Sequence, residues 1–361
     1  MSSSFPTMVE TMIVAHLDLD AFFAGVEELE DPSLASKALV VGGDPHGRGV
    51  VATANYHARR FGIHSAMSCA EALRRCPQAV FVRPRHSLYR EYSQAVWSAV
   101  REVVPTVERT GLDEGYLDLG EVSRTFLDAR RRAEAVQAAV RATTSLTCSL
   151  GVASCKVVAK VASDRRKPGG LLVVPLGREA DFLGPFPVRL LPGVGPSAQQ
   201  RLARAGVETI RGLAAMKDAD LARVLPGKVG RLLRDRANGI DPRPLELSAE
   251  RISLSLEETF ERDIADRERL HDELRHMAAR LGTHLTEQGQ AARTVTTKVR
   301  YPDFAIRSRS RTLPAGIDDA ETIGEVACGL LDRALHDRPG ALRLVGISLS
   351  NLATYRQLAL A

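Results

Sequence analysis

Two stretches of this chain place acids where strands end. The first, Ile13-Val14-Ala15-His16-Leu17-Asp18-Leu19-Asp20, alternates apolar and polar residues like a strand buried on one side. The second, Thr110-Gly111-Leu112-Asp113-Glu114-Gly115-Tyr116-Leu117-Asp118, sets Asp113 beside Glu114 between apolar residues that read as a short hairpin. Neighbours along a strand point to opposite faces. Two adjacent acids therefore reach one site only at a turn or bend that breaks the alternation. Asp18, Asp113 and Glu114 together offer hard oxygen ligands for two divalent cations. Two such cations a few ångströms apart clamp the attacking and leaving oxygens of a phosphoryl transfer. Taken singly, each acid reads equally well as a solvated charge at a strand end.

Further along, the residues suit phosphate rather than metal. Leu190-Leu191-Pro192-Gly193-Val194-Gly195-Pro196, followed by Ser197 to Ala205, reads as a helix-hairpin-helix. Its turn through Gly193 and Gly195 exposes backbone N–H groups at a helix N-terminus, a favourable place for phosphate. Residues 186–240 hold ten Lys/Arg against four Asp/Glu, and residues 292–313 hold six against one. In Arg307-Ser308-Arg309-Ser310-Arg311, period 2 puts three arginines on one face of a strand, and Lys298 and Arg300 repeat the pattern on the strand before. Stacked guanidinium rows repel each other unless a polyanion lies across them; the plainer reading is a sheet edge guarded by charge.

The elements that must carry these groups are mixed. Strands are expected at 13–19, 38–42, 78–82, 115–119 and 147–152, and helices at 87–102 and 124–144. This is an α/β or α+β pattern. Past Pro175, short helices and Gly/Pro turns take over. Asp241-Pro242-Arg243-Pro244 stops them, and 241–251 reads as a linker. A β-α-β-β-α-β pattern follows, with strands near 252–259, 292–301, 304–313 and 342–350 and helices near 267–288 and 319–336. A length of 361 residues suits two to four domains, and a net charge of +5 permits nucleic-acid binding without demanding it. The five cysteines lack zinc-ligand spacing and read as free thiols in a reducing compartment. No apolar run reaches membrane-spanning length and no signal peptide is visible. The expectation is a cytoplasmic, nucleoid-associated monomer that makes no membrane contact.

From about residue 12 to about 357, the chain resembles the Y-family DNA polymerases, specifically the DNA polymerase IV (DinB) branch. His16-Leu17-Asp18-Leu19-Asp20-Ala21-Phe22-Phe23-Ala24-Gly25-Val26-Glu27 is similar to that family's HVDMDAFFASVE, and Gly111 to Asp118 to its SLDEAYLD. Val51 to Gly62 and Gly151 to Asp164, the latter followed by Lys167-Pro168-Gly169-Gly170, supply two more ordered motifs. The resemblance implies an α+β multidomain fold with a mixed-sheet palm (1–18 and 85–174) and fingers (19–84). A helical thumb with the helix-hairpin-helix (175–240), the linker, a β-α-β-β-α-β little finger (252–357) and a tail (358–361) complete it.

The same resemblance assigns roles. Asp18, Asp113, Glu114 and the carbonyl of Leu19 would hold two Mg²⁺ ions, with Mn²⁺ as the alternative. Thr53, Tyr56, Arg59 and Lys167 would contact a dNTP triphosphate. Phe23 matches a steric gate against ribonucleotides, with Phe22 its neighbour in the nucleotide pocket. Ser65, Ala66 and Met67 would roof the nascent base pair. Primer–template DNA would lie against Lys160, Gly193, Gly195, Lys298, Arg300, Arg307, Arg309 and Arg311. Asp20 matches no ligand and reads as structural. Gly111 and Gly115 stand where the family has Ser and Ala, which predicts a looser hairpin. The activity implied is low-fidelity, template-directed translesion DNA synthesis. A non-catalytic DNA-binding relative would lack the carboxylates. A nucleotidyl cyclase would not need the helix-hairpin-helix or the arginine strand, and a helix-hairpin-helix glycosylase has no use for the acids. Gln357-Leu358-Ala359-Leu360-Ala361 resembles the family's sliding-clamp tail, QLxLF, with Ala361 in place of the aromatic anchor, which predicts weak docking on a clamp.

Overall fold

The computed structural model describes residues 12–248 and 251–355, so the expected clamp-binding tail at 357–361 lies outside the described residues. The chain forms two compact units that part between Leu247 and Ser248. The first begins β1 (Val14–Leu19), α1 (Phe22–Glu30), β2 (Leu39–Gly42), β3 (Val51–Ala54), α2 (Tyr56–Arg59), α3 (Cys69–Arg75), β4 (Val80–Val82) and α4 (His86–Val103). It continues with β5 (Val107–Arg109), β6 (Glu114–Asp118), α5 (Phe126–Thr144), β7 (Cys148–Ala153), α6 (Lys156–Asp164) and β8 (Leu171–Val173). Five short helices follow: α7 (Glu179–Leu183), α8 (Pro196–Arg204), α9 (Ile210–Ala214), α10 (Asp218–Val224) and α11 (Lys228–Ala237). The second unit is β9 (Ser253–Ile264), α12 (Arg267–Glu287), β10 (Gln290–Arg300), β11 (Ile306–Ile317), α13 (Ala320–Asp337) and β12 (Leu342–Thr354). Among the described residues, no helix is long and apolar enough to cross a membrane.

In the first unit a five-stranded sheet runs β5-β6-β1-β7-β8 and a small one β3-β2-β4. β1 is central, antiparallel to both β6 and β7. Its sequence reflects cover on both faces: Ala15, Leu17 and Leu19 pack in a core with Trp97 of α4 and Val136 of α5, and Val14 packs with Val158 and Ala162 of α6. β7 is buried along its whole length for the same reason. Gly151 lets α6 ride directly on β7: a Cβ there would meet the Ala159 carbonyl oxygen at 2.2 Å and the Ser163 amide nitrogen at 2.4 Å. Leu202, Ile210, Leu213, Leu221 and Leu233 bind α8 to α11 into one small core.

The segment expected as a linker is partly tied down. Glu108 and Lys156 form a buried ion pair with Nζ 2.7 Å from Oε1. Glu108 Oε2 also accepts from the Glu246 amide at 2.8 Å, and Lys156 donates to the Pro244 carbonyl at 3.4 Å.

The second unit is one antiparallel sheet, β11-β10-β12-β9. Leu270, Leu274 and Leu281 of α12 and Ile323 and Leu330 of α13 pack with Val295, Val299, Val345, Ile347 and Leu349 of the strands. One face is therefore helix-covered and one open. Register decides where the basic rows lie. Residues paired across antiparallel strands share a face, and Arg307, Arg309 and Arg311 pair with Val299, Thr297 and Val295. The arginine row is therefore on the helix-covered side, where Arg309 Nε donates to Asp337 Oδ2 at 3.1 Å. Lys298 and Arg300 alternate with those core residues and belong to the open face. The two basic rows, expected as a stack, thus lie on opposite sides of the sheet. Lys298 is moreover paired to Glu257 at 2.8 Å; Gly346 is the β12 residue registered between them and bears no side chain to part them. The rest of the open face is two rows of hydroxyls, Ser253-Ser350-Thr294-Thr312 and Ser255-Ser348-Thr296-Ser310.

Gly115 does not leave the hairpin slack. A Cβ there would lie 2.8 Å from Trp97 Cη2 and 2.6 Å from the Glu108 carbonyl oxygen, so α4 and β5 already fill the space. Gly115→Ala should lower unfolding free energy by about 1–3 kcal/mol, the usual range for overpacking. Urea denaturation should show a smaller loss when Trp97→Phe is present, since that ring no longer reaches the new methyl.

Candidate active site

The register of β1 assembles the acids. Asp18 pairs with Glu114 on one side and Ser149 on the other, so these three side chains share a face. Asp113 sits in the bend just before β6, and its carbonyl accepts from the Leu19 amide at 2.9 Å. The alternation breaks there, as the side-by-side acids require. The bend is held from α4: Trp97 Nε1 donates to the Leu112 carbonyl at 3.0 Å and Ser93 Oγ to the same oxygen at 2.5 Å. The Thr110 and Gly111 amides each reach the Glu114 carbonyl at 3.1 Å.

Two lysines neutralise part of this charge. Lys160 Nζ is 2.5 Å from Glu114 Oε2 and 3.3 Å from Asp18 Oδ2. Lys167 Nζ is 2.7 Å from Asp18 Oδ2 and 2.8 Å from Asp164 Oδ1. The neighbouring His16 and Lys160 hold the Glu114 carboxyl well below its usual range, against burial. Of the two, Lys160 is the firmer hold. Ser163 Oγ donates to the Lys160 carbonyl at 2.8 Å and so accepts from His16 Nδ1, also at 2.8 Å. A neutral His16, whose pKa is pushed down by burial, then has no hydrogen left for Glu114 at 3.5 Å. Asp113 makes no ion pair among the described residues; burial first, then the Asp18 and Glu114 charges, push its pKa up.

A hard cation suits this donor set. Three carboxylates converge from β1, the start of β6 and the bend before it, and Asp113 has no counter-ion among the described residues. Among the described residues no three His, Cys, Asp or Glu side chains close into a finished metal centre.

Asp20 is structural and central. Its Oδ1 accepts from Ser149 Oγ at 2.8 Å and from the Tyr56 hydroxyl at 3.4 Å, and its Oδ2 from the Gly169 amide at 2.8 Å. One buried carboxylate thus ties β7, α2 and the Lys167-Pro168-Gly169 loop together. Burial and the Asp20 charge push the Tyr56 hydroxyl up. The Arg59 guanidinium lies 4.8 Å from the Tyr56 ring centre, with Nε bonded to the Ala54 carbonyl at 2.9 Å. Thr53 is half-buried on β3.

Phe23 stacks on Tyr89, with centroids 4.1 Å apart and planes 15° apart. Tyr89 donates to Glu27 Oε1 at 2.5 Å, and Arg85 Nε reaches the same carboxylate at 3.0 Å. Phe22 is 2% exposed and packs in the core. Its side chain is therefore not a nucleotide contact, because one step along α1 turns it inward while Phe23 faces out. Met67 is likewise only 8% exposed and belongs to the core beside β3. Ser65 and Ala66 are exposed, with Ala66 at a left-handed φ of 68°. Lys160, expected among the DNA contacts, bonds to Glu114 and Asp18 within the carboxylate cluster. Gly195 caps α8 and Gly193 lies in the turn before it, as the helix-hairpin-helix requires.

Sequence reasoning missed Asn55. Its Oδ1 accepts from the Leu39 and Ala58 amides at 3.1 and 2.9 Å, and its Nδ2 donates to Glu28 Oε1 and the Lys37 carbonyl at 2.7 and 2.9 Å. All its bonding capacity is used to set α2 on β2. Its place one residue before a helix was the available signal.

Comparisons with known proteins agree along the chain. Residues 17–164 match the impB/mucB/samB family, residues 251–360 its C-terminal domain, and residues 189–241 the thumb domain of DNA polymerase-iota. The DNA polymerase IV of Streptomyces coelicolor is 42% identical over 95% of this chain and 72% of its own length. That of Halorhodospira halophila is 41% identical over 94% and 95%. Among solved structures, a Y-family polymerase chimera of Dbh and Dpo4 superposes with a TM-score of 0.87 at 26% identity, covering 95% of this chain and all of that one. The matches thus run in order and nearly end to end, and the chain belongs to the Y-family DNA polymerases, in the DNA polymerase IV branch.

Proposed function

We infer that the chain is a template-directed, low-fidelity translesion DNA polymerase that adds dNMP from dNTP to a primer 3′-hydroxyl. The observation that carries this reading is the convergence of Asp18, Asp113 and Glu114 at the paired ends of β1 and β6, in a chain of this family. A solved insertion ternary complex of Dbh polymerase, 26% identical to this chain, supports primer–template and nucleotide as partners. The domain limits set out from the sequence and a monomeric state belong to the same reading, as does a weak clamp contact through Gln357–Ala361.

Asp18, Asp113, Glu114 and the Leu19 carbonyl would hold two Mg²⁺, or Mn²⁺, ions. When bound, such ions acidify the 3′-hydroxyl and neutralise the leaving pyrophosphate. The chain's own groups do the rest. Lys167 turns from Asp18 to the triphosphate, and Tyr56 and Arg59 orient it, with Thr53 adding a hydroxyl. Asp20 fixes the spacing between Tyr56 and the Lys167 loop, so both phosphate-binding groups arrive in register. Phe23, braced by Tyr89, fills the space under the sugar and excludes a 2′-hydroxyl. Ser65 and Ala66 roof the base pair with little bulk, which leaves room for distorted templates and weakens discrimination by shape. A nucleotidyl cyclase reading leaves the helix-hairpin-helix and the basic rows without a use.

Primer extension with dNTPs and Mg²⁺ tests the assignment. Asp18→Ala, Asp113→Ala or Glu114→Ala should each slow extension by about a thousandfold or more, a barrier change of several kcal/mol. DNA affinity should hold, since it comes from phosphate contacts elsewhere. Near-normal extension by Asp113→Ala would remove the metal assignment.

Phe23→Ala should raise the ratio of rNTP to dNTP incorporation by at least about tenfold, because exclusion by bulk ends with the ring. An unaltered ratio makes Phe23 a packing residue.

The basic rows should separate by face. Arg307→Ala with Arg311→Ala should flatten the log–log salt slope of duplex binding by roughly 1.8, two contacts at about 0.9 each. Lys298→Ala, whose charge Glu257 already neutralises, should move it by less than about 0.9. The reverse order would put the phosphates on the open face.

A further inference from the structure

We propose that Lys160 is a built-in counter-ion that stands in for a divalent cation among the resting carboxylates, and that a metal binds by displacing its ammonium from Glu114. The proposal rests on reading Asp18, Asp113 and Glu114 as the metal-holding set. Lys160 Nζ bridges Glu114 Oε2 at 2.5 Å and Asp18 Oδ2 at 3.3 Å. It reaches them from α6, which lies directly on β7 because Gly151 has no side chain. The lysine is only 25% exposed, so water does little to loosen it. Two ammonium groups, Lys160 and Lys167, stand among three acids and leave Asp113 without an ion pair among the described residues, which is the deficit a divalent ion would fill.

A displaced Lys160 also has a destination. Asp164 is one turn further along α6, at the i,i+4 spacing that brings helix side chains together. Its carboxylate is 47% exposed and is held at present by Lys167, which also holds Asp18. A triphosphate that draws Lys167 away releases Asp18 and Asp164 together. Asp18 then lacks one of its two lysines, and Asp164 can receive Lys160. Metal and triphosphate each take a lysine from the acids, so each should ease the binding of the other, and the coupling must be reciprocal.

The test is Mn²⁺ binding to the full-length, metal-free protein without DNA or nucleotide, read from the paramagnetic resonance signal of free Mn²⁺. Lys160→Met should bind Mn²⁺ about tenfold more tightly than wild type, and Lys160→Arg, which keeps the cation, should stay within about threefold. Arg165→Met removes a charge from the same end of α6 without a bond to the acids, and should change affinity by less than about twofold. Unchanged, weaker or undetectable binding by Lys160→Met overturns the proposal. So does an equal gain in Arg165→Met, which would mean a general field and not displacement. Adding Asp113→Asn to Lys160→Met separates this idea from the reading beneath it. Mn²⁺ binding that survives that change places the metal elsewhere. Binding lost with Asp113 but not improved by Lys160→Met keeps the metal set and refutes the counter-ion. Thermal melts confirm folding and add a second readout: Lys160→Met should melt lower than wild type without metal and gain more from Mn²⁺.

Discussion

Mutual repulsion among Asp18, Asp113 and Glu114 is the constraint on which the first unit depends. Three acids this close are unfavourable unless cations stand among them; strand register sets Asp18 beside Glu114, and the bend bonded to the Leu19 amide sets Asp113 next to them. The compensating charge comes from α6 and the loop after it, through Lys160 and Lys167. Helix α6 can reach the acids only because β7 carries Gly151 beneath it. The site is thus a balance between two rigid elements, with strands supplying the negative charge and a closely seated helix the positive. A balance made from mobile lysines is one that a substrate can reset.

The nucleotide side is organised on a different principle, with buried polar hubs whose bonding capacity is fully used. Asp20 accepts from three donors drawn from three segments. Asn55 uses both lone pairs and both hydrogens. Glu27 gathers Arg85 and Tyr89 beneath Phe23. A buried polar group left unsatisfied costs about 1–3 kcal/mol, so each hub resists displacement of any segment bonded to it. Rigidity of this kind suits a site whose specificity rests on where a ring or a phosphate contact stands.

The sequence made the acids legible because their spacing was unusual and the runs around them were periodic; β1 begins within a residue of its expected start. Strands β3, β5 and β8, of three or four residues each, were not anticipated. Resemblance put Phe23 at the gate with Phe22 beside it, and Phe22 is buried on α1; Met67 was expected above the base pair by resemblance, yet it is buried in a core with Val51 and Cys69. The sharpest failure was the basic rows. Period 2 correctly put each row on one face, but which face depends on pairing with a partner strand, and that is not local information. The place of Lys160 between residues 18 and 114 was hidden for a similar reason: nothing near it in sequence shows that it meets them.

Trp97 is the only tryptophan in the chain, and its indole N–H is bonded to the carbonyl at the tip of the acid-bearing bend. The protein therefore carries an intrinsic optical probe wired to the bend that positions Asp113. Indole emission responds to the loss of a hydrogen bond and to nearby charge. Rearrangement of the carboxylates on loading the site should thus be visible in the unlabelled protein, on the timescale of mixing, with no dye or cysteine chemistry to disturb five buried thiols.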